Sequence, residues 1–193
     1  STYNGEKYLY QQLHSIKNQK GVKTDIYVID DGSRDKTIKI LKEFSSNIKI
    51  FDTKKFKNPT LNFLYLINNV PLDYDYYCFS DQDDVWLKNK LNYSIKKLKK
   101  YNGHVLGSRT LYTDKNLKIF GRSPLFKKKI CFENSLVQSI TGGNTNIWGG
   151  QLLPFTKNDI NKKNGWPIEW KEISVIYKSI TKELLNENIK FYS

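Results

Sequence analysis

Three times in the first 101 residues, a short apolar run gives way to turn residues and then to a helical pattern. Asp25-Ile26-Tyr27-Val28-Ile29-Asp30 is β-branched and aromatic, reads as a buried strand, and ends in the turn signal Asp31-Gly32-Ser33. A helix over 35–44 follows, with Ile38, Leu41 and Lys42 at i, i+3 and i+4 and with Ser33 or Asp35 as its cap. A strand over 47–51 leads to a helix over 60–69 opened by Pro59. A strand over 74–80 leads to a basic amphipathic helix over 87–101. Ahead of all three, Tyr8, Leu9, Leu13 and Ile16 recur at helical spacing behind an Asn4-Gly5 turn. This order predicts right-handed βαβ units, and so an α/β fold with a mostly parallel sheet. Ligands of such sheets lie beyond the carboxyl ends of the strands. Both acidic clusters, Asp30-Asp31 and Asp81-Gln82-Asp83-Asp84, fall there.

Past Asn102 the rhythm changes. Residues 105–112 and 117–120 read as a hairpin or meander, Gly142-Gly143-Asn144 as a loop, 173–185 as a last helix and 189–192 as a closing strand. No repeat or linker interrupts the chain, and its 193 residues suit one domain.

Composition narrows the chemistry. With two histidines, His14 and His104, a histidine-rich metal site is excluded, so catalysis falls to carboxylates. The two cysteines, Cys78 and Cys131, show no disulfide or zinc spacing, and Cys78 lies within an apolar strand pattern; the expectation is a reducing, cytoplasmic setting. No apolar run approaches the roughly 20 residues that cross a bilayer. The first residues carry no signal-peptide pattern and the chain has no methionine, which is read as loss of a segment ahead of Ser1. The net charge of +13, gathered at 54–57, 96–100 and 127–129, is either solvated surface or a preference for anionic partners. Nucleotide phosphates and the headgroups of a membrane's inner face are such partners, the latter giving peripheral membrane contact. Nucleic acid is not expected, because no recognition motif is present and the aromatic residues lie mainly in apolar strand and helix patterns.

Three aspartates within four residues at a strand end repel one another unless a cation or a proton intervenes. An Asp-x-Asp pair there can present two carboxylates to a hard cation, Mg²⁺ or Mn²⁺, that keeps positions open for substrate phosphates. The alternative is that Asp81 to Asp84 cap a helix beginning at Val85 or Leu87. For Asp30-Asp31-Gly32-Ser33, the alternative is an ordinary tight turn.

Taken together, Thr2-Tyr3-Asn4-Gly5-Glu6-Lys7-Tyr8-Leu9, Ile29-Asp30-Asp31-Gly32-Ser33-Arg34-Asp35-Lys36-Thr37 and Phe79-Ser80-Asp81-Gln82-Asp83-Asp84-Val85-Trp86-Leu87-Lys88-Asn89-Lys90-Leu91 resemble the family 2 glycosyltransferases. Within that family they are similar to the rhamnosyltransferase-like branch, whose metal motif is Asp-Gln-Asp-Asp. The resemblance is tight over 2–91 and traceable to the end. It implies a GT-A fold, Rossmann-like with helices on both faces of the sheet, in which the apolar first strand that normally precedes Thr2 is truncated. It also implies a single domain over 1–193, with a nucleotide-binding half at 1–101 and an acceptor-side half at 102–193. The implied activity is inverting, metal-dependent transfer of a hexosyl group from a nucleoside-diphosphate sugar, a dTDP- or UDP-sugar. The acceptor would be a saccharide or lipid-linked saccharide of a bacterial surface polysaccharide.

Residue by residue, the resemblance puts Thr2, Tyr3, Asn4, Asp30, Asp31 and Asp81 at the nucleotide, with Asp31 on the base or ribose. It puts Asp81 and Asp83 on Mg²⁺ or Mn²⁺, makes Gly142-Gly143-Asn144 a loop against the donor sugar, and leaves Trp86 as packing. That loop is equally a plain turn. Relatives place a general base in His-Asp-Trp, where this chain reads Ile168-Glu169-Trp170. Glu169, or else Glu172, is the candidate base, and both also read as ordinary carboxylates at a helix start. The altered motif leaves a second expectation, a catalytically inactive nucleotide-binding domain.

Overall fold

The computed structural model describes residues 1–46, 48–51, 55–124 and 146–150, with the backbone of 191–192. Helix α1 (Leu9–Lys17), strand β1 (Ile26–Ile29), α2 (Thr37–Glu43), β2 (Ile48–Phe51), α3 (Pro59–Asn69), β3 (Tyr76–Cys78) and α4 (Lys90–Tyr101) follow in the expected order. Beyond them come β4 (Val105–Leu106), β5 (Leu111–Thr113), β6 (Ile119–Arg122), β7 (Ile147–Gly149) and β8 (Phe191–Tyr192). Pro59 stands at the first turn of α3 as expected, but the cap is Asn58, whose side chain accepts the N–H groups of Thr60 and Leu61. The residue flanking α2 is Lys36, not Ser33 or Asp35 as expected, although Asp35 just ahead of it accepts the Thr37 N–H at 3.0 Å.

β1 and β2 pair in parallel, Ile26 opposite Ile48 through Ile29 opposite Phe51. Thr2 adds one parallel rung to Asp30, its N–H donating to the Ile29 carbonyl and its carbonyl accepting the Asp31 N–H. The second sheet has the order β3-β7-β4-β8. β7 runs antiparallel to both β3 and β4, and β4 runs parallel to β8, so β7 alone opposes its sheet. The expected parallel sense therefore holds apart from β7, which sequence reading missed. Ile147-Trp148-Gly149 is too short for a periodicity and runs straight into Gly150. Gly150 comes so close to β3 that an added Cβ would lie 2.0 Å from the Tyr74 carbonyl oxygen. Only β5 and β6 form the expected hairpin; Val105 and Leu106 belong to the main sheet.

Alternating residues of each strand face opposite ways, so each strand binds two helix layers. Ile26 and Val28 of β1 pack with Leu9 and Leu13 of α1 and Leu41 of α2. On the other face, Tyr27 stacks on Phe51, which meets Tyr65 of α3 edge-on. Likewise Tyr76 and Cys78 of β3 join Ile16, Trp86, Leu91 and Leu98, while Phe79 meets Phe63 of α3 and Trp148 of β7. Helices thus cover both faces. Among the described residues no strand lies between β1 and β3; a cavity of about 620 Å³ does, walled by both strands and by α1, α3 and α4. Burial pushes the Cys78 thiol on its wall up to about 11, and Cys78 packs against the Ile16, Trp86 and Leu98 cluster.

Candidate active site

Four loops meet at the carboxyl ends of β1, β2 and β3, where open α/β sheets bind ligands. After β1, the buried Asp30 carboxylate organises its own turn. One oxygen accepts the N–H groups of Gly32 and Ser33 at 3.0 and 2.8 Å; the other accepts the hydroxyls of Ser33 and Thr2 at 2.6 and 3.0 Å. Gly32 at φ 90° makes the reversal, a backbone state side chains resist. The turn reading of this motif therefore describes Asp30. Asp31, also buried, accepts the Lys57 N–H at 2.8 Å through Oδ1 and so ties in the loop after β2.

The loop before α1 interlocks with the same turn. The Asn4 N–H donates to the Ser33 hydroxyl while Asn4 Oδ1 accepts the Arg34 N–H. The Gly5 N–H donates to Thr37 Oγ1, the Glu6 N–H donates to Asp35 Oδ2, and Glu6 Oε2 accepts the Lys36 N–H just ahead of α2. Asn4 adopts φ 46°, the left-handed state asparagine tolerates.

The third component is the acidic loop after β3. Its aspartates do not cap a helix: α4 begins at Lys90, and its flanking residue is Asn89. Gln82 instead reaches across to the first loop, its Oε1 accepting the Tyr3 N–H at 2.9 Å and its Nε2 donating to the Tyr3 carbonyl at 3.0 Å. This two-point bond joins chain positions 79 residues apart and fixes Asp81 and Asp83 beside Tyr3. Gly5 leaves room for it, since a Cβ there would lie 2.6 Å from Gln82 Oε1. Sequence reasoning gave Gln82 and Thr37 no individual role and Gly5 only that of a turn; for Gln82 the signal was a neutral side chain among three acids, with donor and acceptor groups to spend on backbone. Replacing Gln82 with leucine should lower stability by about 1 kcal/mol, the worth of such exposed bonds. Gly5→Ala should do the same, and adding it to the Gln82 variant should have almost no further effect in a double-mutant cycle read by thermal melting.

The carboxylates crowd one another. Loss of hydration first, and then the charges of Asp84 and Asp83, raise the Asp81 carboxyl above its usual pKa. Asp81 and Asp83 are both exposed at the loop surface. Among the described residues no three His, Cys, Asp or Glu side chains converge into a closed metal cage. That donor set suits a hard cation held by one or two carboxylates and completed by a ligand's phosphate oxygens. Trp86 is buried, with the Lys90 ammonium 3.8 Å from its ring centroid, and acts as packing. Thus Thr2, Tyr3, Asn4, Asp30, Asp31, Asp81 and Asp83 are brought into one cluster of loops. Gly142, Gly143, Asn144, Glu169 and Glu172 lie outside the described residues.

The sequence matches the family described as glycosyl transferase family 2 over residues 1–185. The chain belongs to this family. Among family 2 relatives, it is 42% identical over 117 residues to a dTDP-rhamnosyl transferase, RfbG, of Shigella flexneri, a match covering 58% of this chain and 40% of that protein. An uncharacterized glycosyltransferase of Haemophilus influenzae is 36% identical over 95 residues, 46% of this chain and 36% of its own length. The chain therefore spans less than half the length of these curated relatives. Among solved structures, S. aureus TarS 1–349 superposes with a TM-score of 0.67 at 21% identity, covering 93% of this chain and 53% of that one. TarS in complex with UDP gives 0.63 at 22% identity, covering 85% and 50%. The family 2 assignment and these likenesses agree with the α/β, GT-A fold.

Proposed function

We propose that this chain carries the donor site of a glycosyltransferase that moves a hexosyl group from a dTDP- or UDP-sugar to a saccharide or lipid-linked saccharide acceptor, with inversion at the anomeric carbon. The observation that carries it is the interlocking of loops at the strand ends: Gln82 bonds the Asp81–Asp84 loop to Tyr3, Thr2 beside it bonds to Asp30, and Asp31 follows. The 42% likeness to a dTDP-rhamnosyl transferase supports dTDP over UDP as the nucleotide.

In this reading Asp30 and Asn4 shape the pocket floor, and Asp31 receives the base or ribose. Tyr3, 56% exposed and held by its backbone, would line the nucleotide site in the same reading. Asp81 and Asp83 would hold Mg²⁺ or Mn²⁺, which when bound neutralises charge on the departing diphosphate. Glu169, or Glu172, takes the proton of the acceptor hydroxyl as that oxygen attacks the anomeric carbon and the bond to the diphosphate breaks.

Calorimetric titration of dTDP, UDP and GDP with and without Mn²⁺ tests the donor site. Binding of one nucleotide that strengthens at least tenfold with Mn²⁺ supports it. No binding of any of the three overturns it. Tight binding with no transfer from the matching sugar nucleotide would select the second reading, an inactive nucleotide-binding domain, which the altered Ile168-Glu169-Trp170 motif favours.

A further inference from the structure

From Val85 to Thr113 the chain holds Lys88, Lys90, Lys96, Lys97, Lys99, Lys100 and Arg109 but no aspartate or glutamate. Helix α4 lies within this stretch and sorts its residues by face. Leu91, Ser94 and Leu98 are buried, whereas Lys96, Lys99 and Lys100 are exposed and Tyr93 and Tyr101 are 60% and 38% exposed. Tyr93, Lys97 and Tyr101 fall at i, i+4 and i+8, one stripe along the outer face. The Lys97 ammonium stands 5.3 Å from the Tyr93 ring centroid and 5.7 Å from that of Tyr101, and Lys100 stands 5.3 Å from Tyr101.

A helix with an apolar buried side and an outer side of lysines and two exposed tyrosines, with no acidic residue, is poorly explained by solvation alone. Tyrosine favours the boundary between headgroups and hydrocarbon, and lysines beside it favour anionic headgroups. We propose that the outer face of α4, through Tyr93, Lys96, Lys97, Lys100 and Tyr101, seats the protein on an anionic lipid surface. A nucleic acid fits less well, because single strands are held in concave basic grooves with rings free to stack on bases. Here the face is a convex helix and its rings are engaged by lysines of the same helix. Among the described residues no helix is long and apolar enough to cross a membrane, and the contact proposed for α4 is a peripheral one.

The placement has a consequence for the donor site. α4 starts six residues after Asp84 (90 − 84), so the helix that meets the surface also carries the acidic loop. A lipid-linked acceptor would be met at the interface without leaving it. The surface itself does not depend on the donor reading, since lipid binding is measured with no nucleotide present.

Sedimentation of the full chain with vesicles of phosphatidylcholine containing phosphatidylglycerol, against vesicles of pure phosphatidylcholine, tests it. Binding is expected only to the anionic vesicles and should weaken as salt is raised. Lys96→Gln/Lys97→Gln/Lys100→Gln should lower the partition coefficient about a hundredfold, at roughly fivefold per lysine. Tyr93→Ser/Tyr101→Ser should lower it severalfold and leave the salt dependence unchanged. Removing three exposed lysines elsewhere, Lys17, Lys39 and Lys42, should change it far less than the α4 set. Equal loss from both lysine sets would overturn the proposal by reducing it to net charge. So would equal binding to neutral vesicles, or capture of a single-stranded oligonucleotide with no vesicle binding. Thermal melting of each variant confirms that the fold is intact.

Discussion

Asp83→Ala is expected to lower sugar transfer roughly a thousandfold while leaving the fold's melting temperature within a few degrees of the parent. Asp83 is exposed on the loop after β3, so truncating it opens no cavity. On the proposed donor-site reading, it removes one of two carboxylates that would hold a cation offsetting the charge of a departing diphosphate, an effect worth several kcal/mol in the transition state. The nucleotide titration should lose its Mn²⁺ dependence in the same variant. Asp81→Asn separates crowding from function. Because the folded state raises the Asp81 pKa, the folded chain holds that proton more tightly than the unfolded chain does. Ionised Asp81 therefore works against folding at pH above the raised value, and the penalty is relieved as pH falls through it. Without metal, Asp81→Asn should melt no lower than the parent at neutral pH, and any advantage should shrink on acidification. Transfer that survives both substitutions sinks the cation role.

The sequence showed where chemistry could gather because strand ends in a βαβ series are marked by turn residues, and both acidic clusters follow apolar runs. It did not show how the loops are joined. Gln82 and Tyr3 are 79 residues apart, and a side-chain amide bonding to distant backbone leaves no periodicity to read. The same limit hid β7. A strand of three residues next to glycine carries almost no local signal, and its place between β3 and β4 is set by the packing of Ile147 against Ile16, Trp86 and Leu98. The start of α4 was read three residues early, at Leu87, because apolar spacing continues through Trp86 and Leu87. The backbone there instead turns so that Lys90 N–H meets the Leu87 carbonyl. The basic face of α4 was legible as composition, but only the burial of Leu91, Ser94 and Leu98 says which way it points.

The adjacent acids Asp30 and Asp31, alike in sequence, should part company under mutation. Asp30 is 4% exposed and its two oxygens together accept four hydrogen bonds. Asp30→Ala leaves two backbone N–H groups and two hydroxyls without their acceptor in a buried turn. Bonds to a charged partner contribute about 1.5–3 kcal/mol each, although losses within one network do not add. A net loss of about 3 kcal/mol is expected, near 10 °C in melting temperature for a chain of this size. Asp31→Asn keeps an oxygen for the Lys57 N–H and should melt within about 2 °C of the parent, consistent with a change of less than 1 kcal/mol. On the proposed reading its effect belongs to the ligand: if Asp31 receives the ribose or base, loss of that negative acceptor should weaken nucleotide binding at least tenfold. Thermal melting and nucleotide titration of the two variants, run side by side, decide the matter. Should Asp30→Ala melt like the parent and fail to bind nucleotide, then Asp30 is a ligand contact and the order of roles is reversed. A stability loss confined to Asp30 and an affinity loss in the still-folded Asp31 variant assign the first to building the pocket and the second to filling it.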